Sequence, residues 1–259
     1  MAPSKPVLWQ IRISHYSEKV RWALDYKEVE HELRAPPPGA HMLIALALTR
    51  GRHKTFPVLQ LGGENVGDST AIIAALEERF PEPPLYPEDP EERRRALELE
   101  DWFDEELAPP IRLLVWHEAT RDPERLAESV LPDVPRPFRR LRGAGVATAR
   151  YASAFVGLRY GVKSAEAAEQ ARRKVLAALD RLEAELEGNE YLVGDRFSVA
   201  DLTAAALFYP LAFPPEGPGV VSPVGWDSFR APLADRPGCR WIEEMFRRHR
   251  RPEPARVAA

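Results

Sequence analysis

The chain of 259 residues holds a single cysteine, Cys239. One cysteine cannot close an internal disulfide, and a metal site built on thiolates is excluded. The six histidines, His15, His31, His41, His53, His117 and His249, share no HxxxH-type spacing, so no metal is expected. No apolar run reaches the roughly 18 residues that suggest a membrane-spanning helix, and no membrane association is expected. Residues 1–6 lack the apolar core of a secretion signal, which makes a reducing cytoplasm the expected setting. Lysine is scarce beside arginine, a bias associated with GC-rich bacterial genomes. Net charge is only −4, so no global field favours nucleic acid.

Apolar material is ample, with 44% hydrophobic and 29% charged residues. That supports one large core or two smaller ones. The chain is organised around Thr55 to Ile72. Val58, Leu59 and Leu61 form a short β-prone run, and Gly62-Gly63 reads as a two-residue hairpin turn. Asp68 or Ser69 supplies the N-cap of a helix running to about Phe80, with Ile72 and Leu76 on one face. Pro57 opens a strand, where the ladder lacks one donor and the preceding bond is open to the cis form. The Asp68-Ser69 pair stands where free backbone N–H groups and a positive helix end would hold an anion. The same residues also describe a plain helix cap behind a Pro-blunted edge strand.

Val7 to Ile11 reads as a central strand. Tyr16, Val20, Ala23 and Leu24 recur at helical spacing, so a helix is expected from about Ser17 to Lys27. Ser14 falls at the strand-to-helix turn, facing a helix N-terminus that stabilises a nearby anion, a thiolate included. It could equally be only a cap. A second strand is expected over Val29 to Leu33. After the break at Pro36-Pro37-Pro38-Gly39, a short helix is expected over His41 to Leu48.

Strand-opening Pro57, the hairpin and Asp68-Ser69, together with Ser14-x-x-Ser17-x-Lys19-Val20-Arg21-x-Ala23-Leu24, resemble the thioredoxin-like domain of cytosolic glutathione S-transferases of the Ser/Cys type. The resemblance implies an α/β thioredoxin-like domain over 5–82 and an all-α C-terminal domain over 90–250. It implies Ser14 at the catalytic position. Phe56 would bind the glutathione peptide through its backbone beside Pro57, and Asp68 and Ser69 would hold the γ-glutamyl end. Lys54, with Arg52 and His53 as rivals, would meet the glycine carboxylate. Thioredoxins carry Cys-x-x-Cys in the same loop. Here both positions are hydroxyls, Ser14 and Ser17, so these positions cannot carry out disulfide exchange.

Pro81 to Pro87 reads as the linker, and the rest as helical. A long helix is expected over Pro90 to about Ala119, broken or kinked at Pro109-Pro110. By resemblance, Tyr16, Trp102, Phe103, Trp116 and His117 would line the apolar substrate site, although aromatics at helical spacing also describe plain core. Arg139, Arg140 and Arg142 form a basic cluster. Ala147 to Tyr160 reads as a helix with Tyr151, Phe155 and Leu158 inward. Ser164 caps a helix to Glu187, with Val175, Leu179, Leu182 and Leu186 on its buried face. Ser198 and Asp201 form a capping box, with Phe197 and Leu202 as its hydrophobic staple. That motif also marks the C-terminal domain of the transferases, with a role in folding. The Pro- and Gly-rich segment from Phe213 to Trp226 is long for a loop and would cover the cleft or meet a partner. Trp241, Ile242, Met245 and Phe246 mark a last helix, Cys239 reads as a structural thiol, and Arg250 onward reads as a frayed tail.

The function implied is a glutathione-dependent transferase, with glutathione as co-substrate and no metal. Its partners would be the small-molecule thiol and an apolar electrophile, and the chain would form a homodimer. Two alternatives stand beside it. One is a binding or regulatory protein without turnover. The other is a transferase or isomerase using a different low-molecular-weight thiol.

Overall fold

The computed structural model describes residues 5–37, 39–134, 137, 140, 143–160, 162, 164–219 and 221–251. Pro38, Arg139, Arg142 and the side chain of Leu158 lie outside the described residues.

The first part of the chain builds a four-stranded sheet in the order β2-β1-β3-β4. Strand β1 (Val7–Trp9) pairs parallel with β2 (Glu32–Arg34) and antiparallel with β3 (Val58–Leu61). Strand β4 (Glu64–Gly67) closes the hairpin on β3. Gly62 and Gly63 both take positive φ, at 59° and 90°, which a primed hairpin turn requires. The parallel β1–β2 step needs a crossover, and helix α1 (His15–Tyr26) supplies it. Helix α2 (His41–Leu48) links β2 to β3, and α3 (Ser69–Arg79) follows β4. This is the thioredoxin-like arrangement. Strand β2 starts three residues later than the expected Val29. Val29 instead donates its N–H to Leu24 and closes the end of α1.

From Pro90 on, the described elements are helical. They are α4 (Pro90–Trp102), a π-helical turn (Phe103–Leu107), α5 (Ala108–Ala119), α6 (Pro123–Val130), α7 (Ala144–Tyr160), α8 (Ala165–Leu186), α9 (Val199–Ala212), α10 (Val224–Arg230) and α11 (Pro237–His249). The expected break at Pro109-Pro110 takes the form of the π-turn just before them. Both prolines lack the N–H that would reach back into that turn, so widening it costs the ladder little.

One apolar core runs through both parts. Helix α1 lies between α3 and α9. Its Trp22 is fully buried, with ring centroids 5.6 Å from Phe197 and 4.3 Å from Phe246. Trp22 donates its indole N–H to the carbonyl of His249 at 2.9 Å. The expected frayed tail is corrected at its first residue. Arg250 is buried, donating to Glu18 at 2.7 Å and to Asp25 at 2.5 Å, both on α1. Charge periodicity in α11 does not reveal this, because the partners lie more than 220 residues upstream. Tyr151 is also corrected. It is 48% exposed, while Val156 and Ala149 turn inward on α7. Cys239 is buried, and burial pushes its thiol up to about 11, so it is inert near neutrality. No described helix is long and apolar enough to cross a membrane.

Candidate active site

The sheet register brings three segments to one end. Trp9 stands opposite Val58, and Val58 stands opposite Gly67. The residues next along each strand are therefore neighbours: the 10–14 loop after β1, Phe56-Pro57 before β3, and Asp68-Ser69 after β4.

Ser14 is the N-cap of α1, extended at φ −84° and ψ 126°, and half-buried. Its Oγ accepts from the Ser17 N–H at 3.4 Å, a long bond for a cap. Ser17 is buried and turned the other way, its Oγ accepting from the Ile11 N–H at 3.3 Å. The loop is fixed from the helical side. Arg12 donates to the carbonyls of Ser129 and Pro218, and Tyr209 donates to the carbonyl of Ile13 at 2.9 Å. His15, next to Ser14, is buried. Burial and then Arg112 push its imidazole down to about 3, so it is neutral near pH 7.

The Phe56–Pro57 bond is cis. The Phe56 ring is buried and stacked on Trp9, centroids 6.4 Å apart, which leaves its backbone as the part able to meet a ligand. Asp68 is the N-cap of α3. Its Oδ1 accepts from the N–H groups of Thr70 at 3.1 Å and Ala71 at 3.2 Å. Its φ is +78°, a conformation an L-residue rarely adopts, so local strain is stored at the sheet end beside Pro57. The carboxylate is exposed, and Ser69 behind it is buried. Of the basic loop, Lys54 is exposed and His53 packs its ring on the backbone of Gly67. Arg52 is spent on the carbonyls of Thr49 at 3.1 Å and Asn65 at 3.5 Å.

A charged network beneath this end has no counterpart in the sequence reading. Lys19 of α1 is fully buried and bonds Glu100 at 2.8 Å, Asp104 at 3.1 Å and Thr70 at 3.1 Å. Thr70 also donates to Asp104 at 3.1 Å, and Tyr16 donates to the Asp104 carbonyl at 3.3 Å. Burial raises the pKa of Glu100, Lys19 opposing it. The α3 N-terminus is thus tied to the helical part through Asp104. The available signal was Glu100 itself, a carboxylate beside the buried positions Ala96 and Leu99 of α4.

The expected apolar-site residues divide. Tyr16 is half-buried by the Ser14 loop, with the Arg112 guanidinium 5.9 Å from its ring centre. Trp116 is half-buried and, like Ile13 and Val146, packs against the cluster of Ala119, Leu126, Ala127, Val130 and Ala149. Phe103 has no exposed surface and meets Phe208 at 6.2 Å in the core. Trp102 lies under Arg181 of α8, 4.0 Å from ring centre to guanidinium. His117 is buried on another face of α5, its Nδ1 2.6 Å from the carbonyl of Val162. The structure does not bring Trp102, Phe103 or His117 to the Ser14 loop. Among the described residues no group of three or more His, Cys, Asp or Glu could hold a metal ion.

A family model of the glutathione S-transferase N-terminal domain matches residues 8–84, and one of the C-terminal domain matches residues 113–248. The chain belongs to the glutathione S-transferase family. It is 29% identical over 143 residues to a glutathione S-transferase of Triticum aestivum, covering 54% of this chain and 66% of that protein. It is 31% identical over 116 residues to a maleylacetoacetate isomerase of Dictyostelium discoideum, covering 42% of this chain and 51% of that one. A third relative, at 28% over 139 residues, is FtsZ-localized protein A of Caulobacter vibrioides, with 54% and 46% covered. The chain thus spans about half to two thirds of the length of these curated relatives. Among solved structures, the fold resembles the β-etherase LigF of Sphingobium sp., at a TM-score of 0.61 and 22% identity over 93% of this chain and 99% of that one. It also resembles a glutathione S-transferase of Methylobacterium radiotolerans solved with glutathione sulfonate, at a TM-score of 0.54 and 23% identity, with 92% and 93% covered.

Proposed function

We propose that this chain is a glutathione-dependent enzyme of the transferase or isomerase kind, acting on a small apolar electrophile. The observation that carries the reading is Ser14. It is a half-buried hydroxyl at the positive end of α1 with a long cap bond, at the same sheet end as Phe56-Pro57 and Asp68-Ser69. In the proposed complex the Phe56 backbone pairs with the glutathione peptide. Asp68 and Ser69 hold the γ-glutamyl end, and Lys54 meets the glycine carboxylate. Ser14 donates its hydroxyl hydrogen to the sulfur. A helix N-terminus and a hydrogen bond both favour the thiolate, so more of the thiol is nucleophilic at neutral pH. Ser14 is not itself the nucleophile. Tyr16 and Trp116 form the apolar wall that receives the electrophile. The proposed setting is the cytoplasm, and the proposed state is a homodimer.

A second reading, a partner-binding protein without turnover, is favoured by the match to FtsZ-localized protein A. Glutathione binding by calorimetry comes first, on the wild type and on Asp68→Asn. Asparagine keeps a neutral acceptor for the α3 cap while removing the charge. The expected result is binding in the wild type, weakened about tenfold in the variant. Binding with no turnover on a panel of electrophiles moves the reading to the partner-binding protein. No binding in either moves it to another thiol or to that same non-enzymatic role.

A further inference from the structure

The loop that leads into Ser14 is held by donors outside it. The carbonyl of Ile13 and the N–H of Ser14 belong to one rigid peptide plane. The Ser14 N–H donates to the Ile11 carbonyl at 2.9 Å, and the Ile13 carbonyl accepts from the Tyr209 hydroxyl at 2.9 Å. That plane is therefore pinned at both ends. One residue earlier, the Arg12 carbonyl accepts from the buried Arg21 guanidinium at 3.1 Å. Tyr209 is itself well fixed. It is buried near the C-terminal end of α9, the helix that packs on α1. The next residue, Pro210, accepts through its carbonyl from the indole N–H of Trp226 on α10 at 2.5 Å. A carbonyl can only accept, so the phenol donates. Burial pushes the phenol pKa up, and the hydroxyl keeps its proton.

We propose that Tyr209 is a positioning residue for the thiol chemistry: by holding the Ile13 carbonyl it holds the Ser14 hydroxyl where it can donate to the sulfur. This rests on the reading of Ser14 as that donor. Ser14 needs outside support because its own cap bond is 3.4 Å long and fixes its hydroxyl weakly. Without the Tyr209 hydroxyl the plane keeps one bond. The carbonyl must then turn to find another donor, and it carries the Ser14 Oγ with it. Phe56, Asp68, Ser69 and Lys54 lie on other segments of the sheet end, so such a shift costs thiolate and spares affinity for the rest of glutathione. The charged groups around this loop are Arg12 itself, Glu18 and Arg21 of α1 and Arg112 of α5. Glu18 stays below the ordinary carboxylate value, its burial outweighed by Arg21 and Arg250. His15 is pushed down to about 3 by burial and then Arg112. Neither titrates in the range of a bound thiol, so a pH titration there reads the thiol.

The test uses the full chain with glutathione, as wild type, Tyr209→Phe, Ser14→Ala and the double variant. Phenylalanine keeps the buried ring and removes one hydroxyl. Ultraviolet titration of the bound thiolate gives the thiol pKa, and calorimetry gives the affinity. The expected result for Tyr209→Phe is about tenfold less thiolate at a given pH, with glutathione affinity within about twofold of the wild type. In the Ser14→Ala background Tyr209→Phe should change nothing further, because a residue that acts through Ser14 then has nothing to position. Trp226→Phe removes the donor to the neighbouring Pro210 carbonyl without touching the loop, and should leave the thiol pKa at the wild-type value. A wild type that binds no glutathione, or whose bound thiol titrates like the free one, would overturn the thiol reading and this role with it. A lowered thiol pKa in the wild type that is unchanged in Tyr209→Phe would overturn the role of Tyr209 alone. So would additive effects of the two substitutions, an equal shift in Trp226→Phe, or a Tyr209→Phe protein that does not fold, each of which makes the hydroxyl a plain part of the scaffold.

Discussion

Ser14 and Ser198 both stand one residue before a helix, and the two helices, α1 and α9, pack against each other. Ser198 is 1% exposed and sealed. Asp201, three residues on, accepts from its N–H at 2.9 Å, from its hydroxyl at 2.8 Å and from the Leu192 N–H at 2.8 Å. Phe197 covers the outside, stacked on His249 at 4.3 Å. Ser14 has none of this closure. Its third helical residue is Ser17, turned away to Ile11, and its own cap bond is 3.4 Å long. The same residue type in the same backbone position is saturated in one helix and left with bonding capacity in the other. An acid at the third helical position closes the cap, and its absence leaves a hydroxyl and a helix dipole free for a ligand.

That contrast can be broken most forcefully at Asp201. Asp201→Ala would strand three buried donors and is expected to lower unfolding free energy by about 3 kcal/mol, read by denaturant melts. The same residue carries a pH signature. Burial raises its carboxyl from 3.8 to about 6 in the fold. Between those values the folded state binds more protons than the unfolded one. Its contribution is therefore fullest below pH 3.8 and is lost as pH rises through about 6. Asp201→Asn should remove this falling slope; an unchanged slope relative to wild type would mean that the ionised form is as well solvated as in water.

At Ser14 the balance is reversed. Ser14→Ala is expected to cut thiol-dependent turnover at least about tenfold while moving stability by only a few tenths of a kcal/mol, because little cap energy resides in the long bond. Unchanged turnover with normal glutathione binding would reduce Ser14 to a cap. The smallest effect belongs to Ser198→Ala, expected to cost about 1 kcal/mol with activity retained. Loss of activity in a stably folded Ser198→Ala protein would erase the distinction between the two serines.

What the sequence made legible follows from the range of the forces involved. Caps, hairpin turns and proline breaks act within a few residues, so the Gly62-Gly63 turn, α2 and the Ser198–Asp201 box could be read from neighbours alone. The sheet end that gathers Ser14, Pro57 and Asp68 was reached through the family resemblance, and the strand register supplies its geometry. Angular position on a helix was less accessible. The π-turn over Phe103–Leu107 resets the rotation between α4 and α5, so a face extrapolated from regular helix does not foretell that Phe103 is fully buried in the core. Of long-range charge pairing, the sequence shows at most one member, Glu100 among buried positions, and never its partner. Lys19 with Asp104 lies 85 residues apart, and Arg250 with Glu18 lies 232 apart. Neither pair leaves a local pattern.

Arg250 also bears on how the protein is made. Glu18 is buried within α1, one turn beyond Ser14, and its two cationic partners are Arg21, close in the chain, and Arg250, far away. While the chain leaves the ribosome, α1 emerges with a carboxylate whose second counter-charge, 232 residues downstream, does not yet exist. Until Arg250 is made, burying that face of α1 would leave Glu18 with Arg21 as its described counter-charge. Full pairing of the helix that carries Ser14 therefore waits on a residue made more than 220 positions later.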